Sequence, residues 1–315
     1  MTPPHDQITG AAAKALALKA GDTVGVLSAA AAVEQQALER GLELIHSIGF
    51  HPRVSRHVLD RDDILAGSDR QRAEELQAFF ADPDIRAIFV ARGGYGSGRI
   101  LPLLDFEAMA LTPKPFIGFS DLTFLLNPIV ERARMVAFHG PMLAIDHAIE
   151  ERNRRSFEHL RRVLVGEVGG FEMATQHVIH PGSAEGELMG GCLSIVSAML
   201  GTPYAPNFDG KILFLEEVGE RAYRIDRMLV QLRQSGALSR CAGVVFGAIR
   251  PFGGDENEAR MILRFIAEQT GGLEIPVLFG IDAGHFTNNL TLPFGVRARI
   301  DSASKRLTVL ESGVS

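Results

Sequence analysis

Apolar residues in the first half of the chain fall in short unbroken runs, separated by longer stretches with helical spacing. Thr23–Ser28 reads T-V-G-V-L-S and Arg86–Ala91 reads R-A-I-F-V-A; Phe116–Phe119 and Met135–Phe138 are shorter runs of the same kind. Such runs mark strands covered on both faces. Pro52–Val58 reads as a more polar strand. Between the runs, Val33–Ile48 places Ala37, Leu38, Leu42, Ile45 and Ile48 on one helical face, and Gly49 ends it. Ser68-Asp69 opens a helix to about Phe80, a further helix covers Ser97–Leu104, and another follows Ser120 with Leu122, Leu125, Leu126 and Ile129 in phase. This alternation predicts an α/β layer: a doubly wound, mainly parallel sheet flanked by helices. Residues 1–20 read as a frayed arm or short helix ahead of the Gly21-Asp22 turn.

The pattern changes past residue 143. Arg152–Leu164 is helical, and Gly166–Gly182 is rich in loop residues. The boundary therefore falls within 165–185: an N-terminal domain over 1–170, a linker over 171–184, and a C-terminal domain over 185–315. In the second domain the sequence predicts strands near Glu187 and at Lys211–Leu215, Ala242–Ala248 and Pro276–Gly280. Helices are expected over Cys192–Leu200, 222–235 and Glu256–Thr270, with short antiparallel strands from Leu290 to Leu310. That mixture indicates a smaller α+β domain, β-rich and barrel-like.

Composition narrows the chemistry. The chain has 315 residues, 46% of them hydrophobic, and a net charge of −6 without a Lys/Arg block. Nucleic acid and anionic membranes are not expected as partners. Cys192 and Cys241 form no C-x-x-C and no disulfide framework, which fits a reducing cytoplasm. Met1–Lys19 has no basic segment ahead of an apolar core, so neither a signal peptide nor a membrane anchor is expected.

Ser120 stands at a strand-to-helix junction. A serine there either caps the helix or, with the unpaired N–H groups of the first helical turn beside it, serves as a nucleophile whose oxyanion those groups stabilise. Leu122 stands where a G-x-S-x-G elbow would need its last glycine. The loop Arg92-Gly93-Gly94-Tyr95-Gly96-Ser97-Gly98 also follows a strand and precedes a helix. It suits a tight turn, an anion-binding loop or an oxyanion hole, and it lacks the Gly-Lys-Ser/Thr of a nucleotide-phosphate loop.

Among ten histidines, His285 lies in a polar loop, Asp282–Asn289, suited to a general base or simply to the surface. His139 ends a strand and could line the same rim as Ser120. His177 and His180 make an isolated H-x-x-H, weak evidence for a metal. Glu216 and Glu217 end a hydrophobic strand, where alternation sends them to opposite faces; either one, or Glu220, could be an acid, or all three a solvated cluster. No metal and no cofactor is expected.

Together these segments resemble the LD-carboxypeptidase family of serine peptidases. The resemblance runs from Asp22 to Leu310 and rests on Arg92–Phe106 (R-G-G-Y-G-S-G-R-I-L-P-L-L-D-F), G-F-S-D at 118–121, H-G-P-M at 139–142, G-G-C-L at 190–193, G-T-P at 201–203, L-E-E-V-G-E at 215–220, Y-R-I-D-R-M-L at 223–229 and G-H at 284–285. It implies a catalytic triad of Ser120, His285 and Glu216, with an oxyanion hole from the N–H groups of Asp121 and Gly94, or of Gly93 in its place. Arg92 and Arg224 are candidates for the substrate's terminal carboxylate. The implied substrate is the murein tetrapeptide, which loses its terminal D-alanine during cytoplasmic cell-wall recycling. The implied assembly is a homodimer.

The alternatives are a microcin C immunity-type peptidase, which uses an aromatic loop often carrying Trp, and a non-catalytic peptide-binding protein. The chain has no Trp. It departs from the family pattern at Cys192, where Asn is usual, and at Ala29–Ala32, where Ser, Pro and Gly are usual.

Overall fold

A computed structural model describes residues 10–144, 150–285 and 288–315. The first sheet takes β1 (Thr23–Leu27), β2 (His51–Val54), β3 (Ala87–Val90), β4 (Phe116–Gly118) and β5 (Ala137–His139). All five are parallel, in the order β5-β4-β3-β1-β2. The helices α1 (Gln35–Ser47), α2 (Asp69–Ala81), α3 (Ser97–Ile100), α4 (Phe106–Ala110) and α5 (Thr123–Glu131) form the connections. α2 begins with a full capping box from Ser68 and Gln71. The strand order reverses between β1 and β3. In open α/β sheets that point leaves a crevice at the carboxyl ends of the strands, where ligands bind.

The arm before β1 is extended, not helical: Ala13 bridges Met135 and Ala15 bridges Val314. Residues 1–9 lie outside the described residues. α6 (Glu150–Leu164) then leads into the second sheet. The predicted linker is absent as such. β6 (Phe171–Ala174) and β7 (His177–His180) are the two edge strands of that sheet, at opposite ends. Between them stand β8 (Ser183–Cys192), β9 (Ile212–Glu220), β10 (Gly243–Pro251) and β11 (Val277–Phe279), with α7 (Leu193–Met199), α8 (Ala222–Gln234), α9 (Ala237–Arg240) and α10 (Glu256–Thr270) as connections.

The chain next forms β12 (Leu292–Phe294), β13 (Arg297–Asp301) and β14 (Arg306–Val309). The eight strands of the second sheet run β6-β14-β13-β8-β9-β10-β11-β7. The first half of β8 pairs with β13 and the second with β9. The sheet is β-rich as expected, and it stays open at its β6 and β7 edges rather than closing as a barrel.

β12 breaks the expected domain division. It leaves the second half of the chain and pairs antiparallel with β5, at the edge of the first sheet. One hydrophobic core accordingly runs through both: Phe89, Ile117 and Phe138 from the first sheet share it with Ile212, Phe214, Val245 and Leu278 from the second. The other face of the second sheet, with Leu213, Leu215, Val244 and Phe246, packs a separate core under α8 and α10. Alternation along β9 thus assigns its faces. Glu216 continues the Ile212–Phe214 face toward the first sheet, and Glu217 continues the face under the helices. Among the described residues no helix is long and apolar enough to cross a membrane.

Candidate active site

Ser120 follows β4 and opens a 3-10 turn, Ser120–Leu122, that runs into α5. Its φ is +61°, a left-handed conformation that a non-glycine residue adopts at a cost. A simple N-cap does not require this: cap residues are extended, and Phe119 holds the extended cap position here with no side-chain cap bond. The turn instead resembles a strained strand-to-helix elbow that lifts the hydroxyl clear of the sheet.

The glycine loop after β3 lies directly against it. A Cβ on Gly93 would stand 3.2 Å from the Ser120 Cβ and 3.4 Å from its Oγ, so any side chain there would crowd the hydroxyl. The Ala29–Ala32 run is buried. The Ala31 N–H donates to the Gly93 carbonyl at 3.1 Å. A Cβ on Gly94, at φ +89°, would lie 2.8 Å from the Ala31 Cβ.

The second sheet supplies the partners. Glu216 is 0% exposed, and its Oε2 lies 2.6 Å from His285 Nδ1 and 3.3 Å from the His285 backbone N–H. His285 arrives on the chain between β11 and β12, which is anchored to one sheet at each end. The start of that segment is tied to the middle of β10: Gly280 and Ile281 donate to the Phe246 carbonyl, and the Ala248 N–H donates to the Ala283 carbonyl. The β9–β10 register shifts between Phe246 and Ile249, a bulge that makes room for the crossing. Gly284, at φ +110°, completes the approach: a Cβ there would meet Glu216 Oε2 at 2.8 Å. Further on, Asn289 Oδ1 accepts the Gly284 N–H at 3.0 Å, and His159 Nδ1 on α6 accepts the Thr291 N–H at 3.1 Å. Phe286 and Thr287 lie outside the described residues.

Burial and charge act in opposition on this pair. Burial alone would push the Glu216 carboxyl up, but the charge and hydrogen bonds of His285 outweigh it and hold the group below the usual carboxylate range. Burial would pull the His285 imidazole down, and the Glu216 carboxylate reverses that and holds it above the ordinary histidine value. The two shifts agree on a carboxylate facing an imidazole that gains basicity. The Phe119 ring, one residue from the nucleophile candidate, stands 4.8 Å from the His285 ring. His139 is fully buried between Phe119, Phe214 and Phe294, and burial pulls its pKa to about 4, so it is neutral.

The remaining candidates divide. Glu217, 2% exposed, accepts the Ser194 N–H at 2.7 Å and so caps α7. Burial pushes its pKa up. Cys192 is buried beside it, with Sγ 3.5 Å from Glu217 Oε2, and burial raises its thiol well above the usual value, so it remains protonated. Arg92 donates to the Ala32 carbonyl at 2.7 Å, at the start of the glycine loop. Arg224 is exposed on α8, with contacts to Glu220 and Tyr223 rather than to Ser120, His285 or Glu216. His177 and His180 lie three apart on a strand, hence on opposite faces. Among the described residues no group of His, Cys, Asp and Glu gathers as a metal site. Sequence reasoning did not single out Asn289 or His159. Their contribution is a hydrogen bond to distant backbone, which no local motif reveals.

The chemistry these groups offer is acyl transfer: a hydroxyl on a strained turn that opens a helix, and a carboxylate-backed imidazole on the segment joining the two sheets. The chain is similar to known proteins over most of its length. Residues 24–140 match the LD-carboxypeptidase N-terminal domain and residues 185–300 its C-terminal domain. A Streptomyces coelicolor protein named as a carboxypeptidase is 41% identical over 93% of this chain and 94% of its own. The murein tetrapeptide carboxypeptidase of Pseudomonas aeruginosa is 35% identical over 88% of this chain and 92% of its own.

Among solved structures, a MccF-like protein from Bacillus anthracis superposes with a TM-score of 0.84 at 27% identity, covering 94% of this chain and 99% of its own. The muramoyltetrapeptide carboxypeptidase of Oxalobacter formigenes gives 0.81 at 28% identity, covering 91% and 97%. With both domain models matched in order, and relatives above the identity at which family membership is secure, the chain belongs to the LD-carboxypeptidase family.

Proposed function

We propose that this carboxypeptidase is serine-type and releases the terminal D-alanine of murein tetrapeptide by cleaving an L-to-D peptide bond. The observation that carries the reading is the His285–Glu216 pair at 2.6 Å, on a segment strung between the two sheets, in a chain whose Ser120 has φ +61°. Relatives named for murein peptides support the substrate class.

In this mechanism the Glu216 carboxylate holds the His285 proton on Nδ1, which makes Nε2 the unprotonated, accepting nitrogen. His285 takes the proton of Ser120 as its oxygen attacks the scissile carbonyl carbon. The tetrahedral oxyanion is met by the N–H groups of Asp121 and Gly94. His285 then gives its proton to the leaving D-alanine amine, and water, activated by the same imidazole, releases the tripeptide acyl group from Ser120. Arg92 and Arg224 are the cations proposed to attract the substrate carboxylate. A cytoplasmic setting, in murein recycling, and a homodimeric assembly belong to the same reading, and the family resemblance is what supports them.

The test is mass spectrometry of murein tetrapeptide after incubation, beside the same peptide ended by L-alanine. Release of the terminal alanine from the first and not from the second is expected. An inert tetrapeptide would overturn the substrate assignment, and failure of a fluorophosphonate to modify Ser120 would overturn the serine mechanism.

A further inference from the structure

The triad and the glycine loop leave two residues of their own segments unexplained. Ser97 begins α3 and is 0% exposed; Asp121 follows the nucleophile and is 2% exposed. They bind each other twice. The Ser97 N–H donates to the Asp121 carboxylate at 2.8 Å, and the Ser97 hydroxyl donates to the Asp121 carbonyl at 2.6 Å. Close packing continues beside them: a Cβ on Gly98 would stand 3.1 Å from the Phe124 ring of α5.

The two bonds join the two strand ends whose backbone must cooperate. One end carries Gly93 and Gly94, the other Ser120 and Asp121. An oxyanion hole made from one N–H of each has no covalent control over their separation: β3 and β4 pair as neighbours at Ile88–Phe116 and Phe89–Ile117, short of both loops, and the chain between them runs through α3, α4 and the intervening turns. Two buried hydrogen bonds a few residues from both N–H groups provide that control. They also oppose relaxation of the left-handed Ser120 backbone, since Asp121 is held by its side chain and its carbonyl together.

We propose that Ser97 and the Asp121 side chain are positioning residues that set the geometry of the oxyanion hole by clasping the glycine loop to the nucleophile turn. The inference rests on the serine-peptidase reading above. It predicts a loss in the chemical step rather than in ground-state binding, because the oxyanion exists only in the transition state.

The test measures the second-order rate at which a fluorophosphonate modifies Ser120, alongside D-alanine release, in the full-length chain. Ser97→Ala and Asp121→Ala are expected to lower both the labelling rate and kcat by about 10- to 100-fold, with KM within about threefold of wild type. Asp121→Asn keeps an acceptor oxygen for the Ser97 N–H and is expected to lose clearly less than Asp121→Ala in both. Ser97→Ala deletes a single buried hydroxyl, so the fold survives it even if Asp121→Ala does not.

Alanine variants that label at the wild-type rate while melting at a lower temperature would overturn the proposal and leave a purely structural clasp. So would an Asp121→Asn variant as impaired as Asp121→Ala, which would make the charge, not the accepted bond, the active feature. A wild-type protein that labels at Ser120 but leaves tetrapeptide intact would remove the substrate reading alone, and the labelling rates would still decide the clasp.

Discussion

Replacing Glu216 with glutamine, beside the same change at Glu217, separates two adjacent buried carboxylates by role. Glu216 Oε2 accepts a hydrogen bond from the His285 Nδ1–H at 2.6 Å, which fixes the tautomer with Nε2 unprotonated. A glutamine amide in its place can donate to Nδ1 and drive the ring to the opposite tautomer, with Nε2 protonated and unable to accept from Ser120. In serine triads this exchange costs about 10⁴ in kcat, or about 5.4 kcal/mol of barrier at 1.36 kcal/mol per decade. Glu217 faces the other core and accepts from Ser194 and Val218. Its glutamine variant keeps one acceptor oxygen, so it is expected to lose about 1–3 kcal/mol of stability and less than about tenfold in kcat.

The assay is D-alanine release from murein tetrapeptide across about pH 5–9, an experimental window that brackets the unperturbed histidine pKa of about 6.5. The wild-type acid limb follows deprotonation of His285 and lies above the ordinary value, because the carboxylate raises it. In the Glu216→Gln variant the carboxylate is gone, burial is opposed only by the smaller pull of Glu217, and the residual activity's limb moves to lower pH. Equal damage at both positions, or a limb that stays where it was, would refute the assignment of Glu216 as the orienting acid.

Ser120→Ala is expected to abolish D-alanine release with the fold intact, and Ser120→Gly to be more stable than Ser120→Ala by about 1 kcal/mol in chemical denaturation, since glycine tolerates the left-handed backbone; equal stabilities would argue that no strain is stored there. His139 and His159 are each pulled down to about 4 by burial. Their stabilisation is present above about pH 6.5 and is lost as pH falls toward about 4, by about 2–3 kcal/mol each at about pH 4.5, so a His139→Phe variant should show a flatter fall in stability from about pH 7 to 4.5. Asn127 pairs with both backbone groups of Gly190, at 2.9 and 3.1 Å, and stitches α5 to β8. Asn127→Leu should cost about 2–5 kcal/mol in denaturant unfolding by stranding those two groups, and a loss under about 1 kcal/mol would show that they find other partners. Activity should survive prolonged dialysis against EDTA, because every proton and charge in the mechanism is handled by side chains and backbone; an EDTA-sensitive rate restored by a divalent ion would overturn it.

Much of the first sheet was legible in the residues alone. Runs such as Val24–Leu27 and Ala87–Val90 are apolar throughout because both faces are covered, and the helices between them keep an apolar face. Period-two alternation likewise separated Glu216 from Glu217 before any contact was known. Local patterning fails where an element's partner is remote. Phe171–Ala174 and His177–His180 read as loop because edge strands are half-exposed and carry little apolar signal, yet they close the two ends of the second sheet. Leu292–Phe294 reads as one more strand of the second domain, and only its pairing with β5 carries it to the first sheet.

The site shows the same division. The sequence determined which residue types were available at strand ends: a serine after Gly118-Phe119, glycines after β3, carboxylates after Leu215, a histidine after Gly284. Tertiary structure decided which of them meet. His285 reaches Glu216 because its segment is held by one sheet before it and by the other after it, crosses a bulge in β10, and passes a glycine that leaves room for the carboxylate. Each of those conditions is a long-range packing constraint. Periodicity and composition report how a residue meets its neighbours along the chain, so they are silent on a contact between residues 69 positions apart.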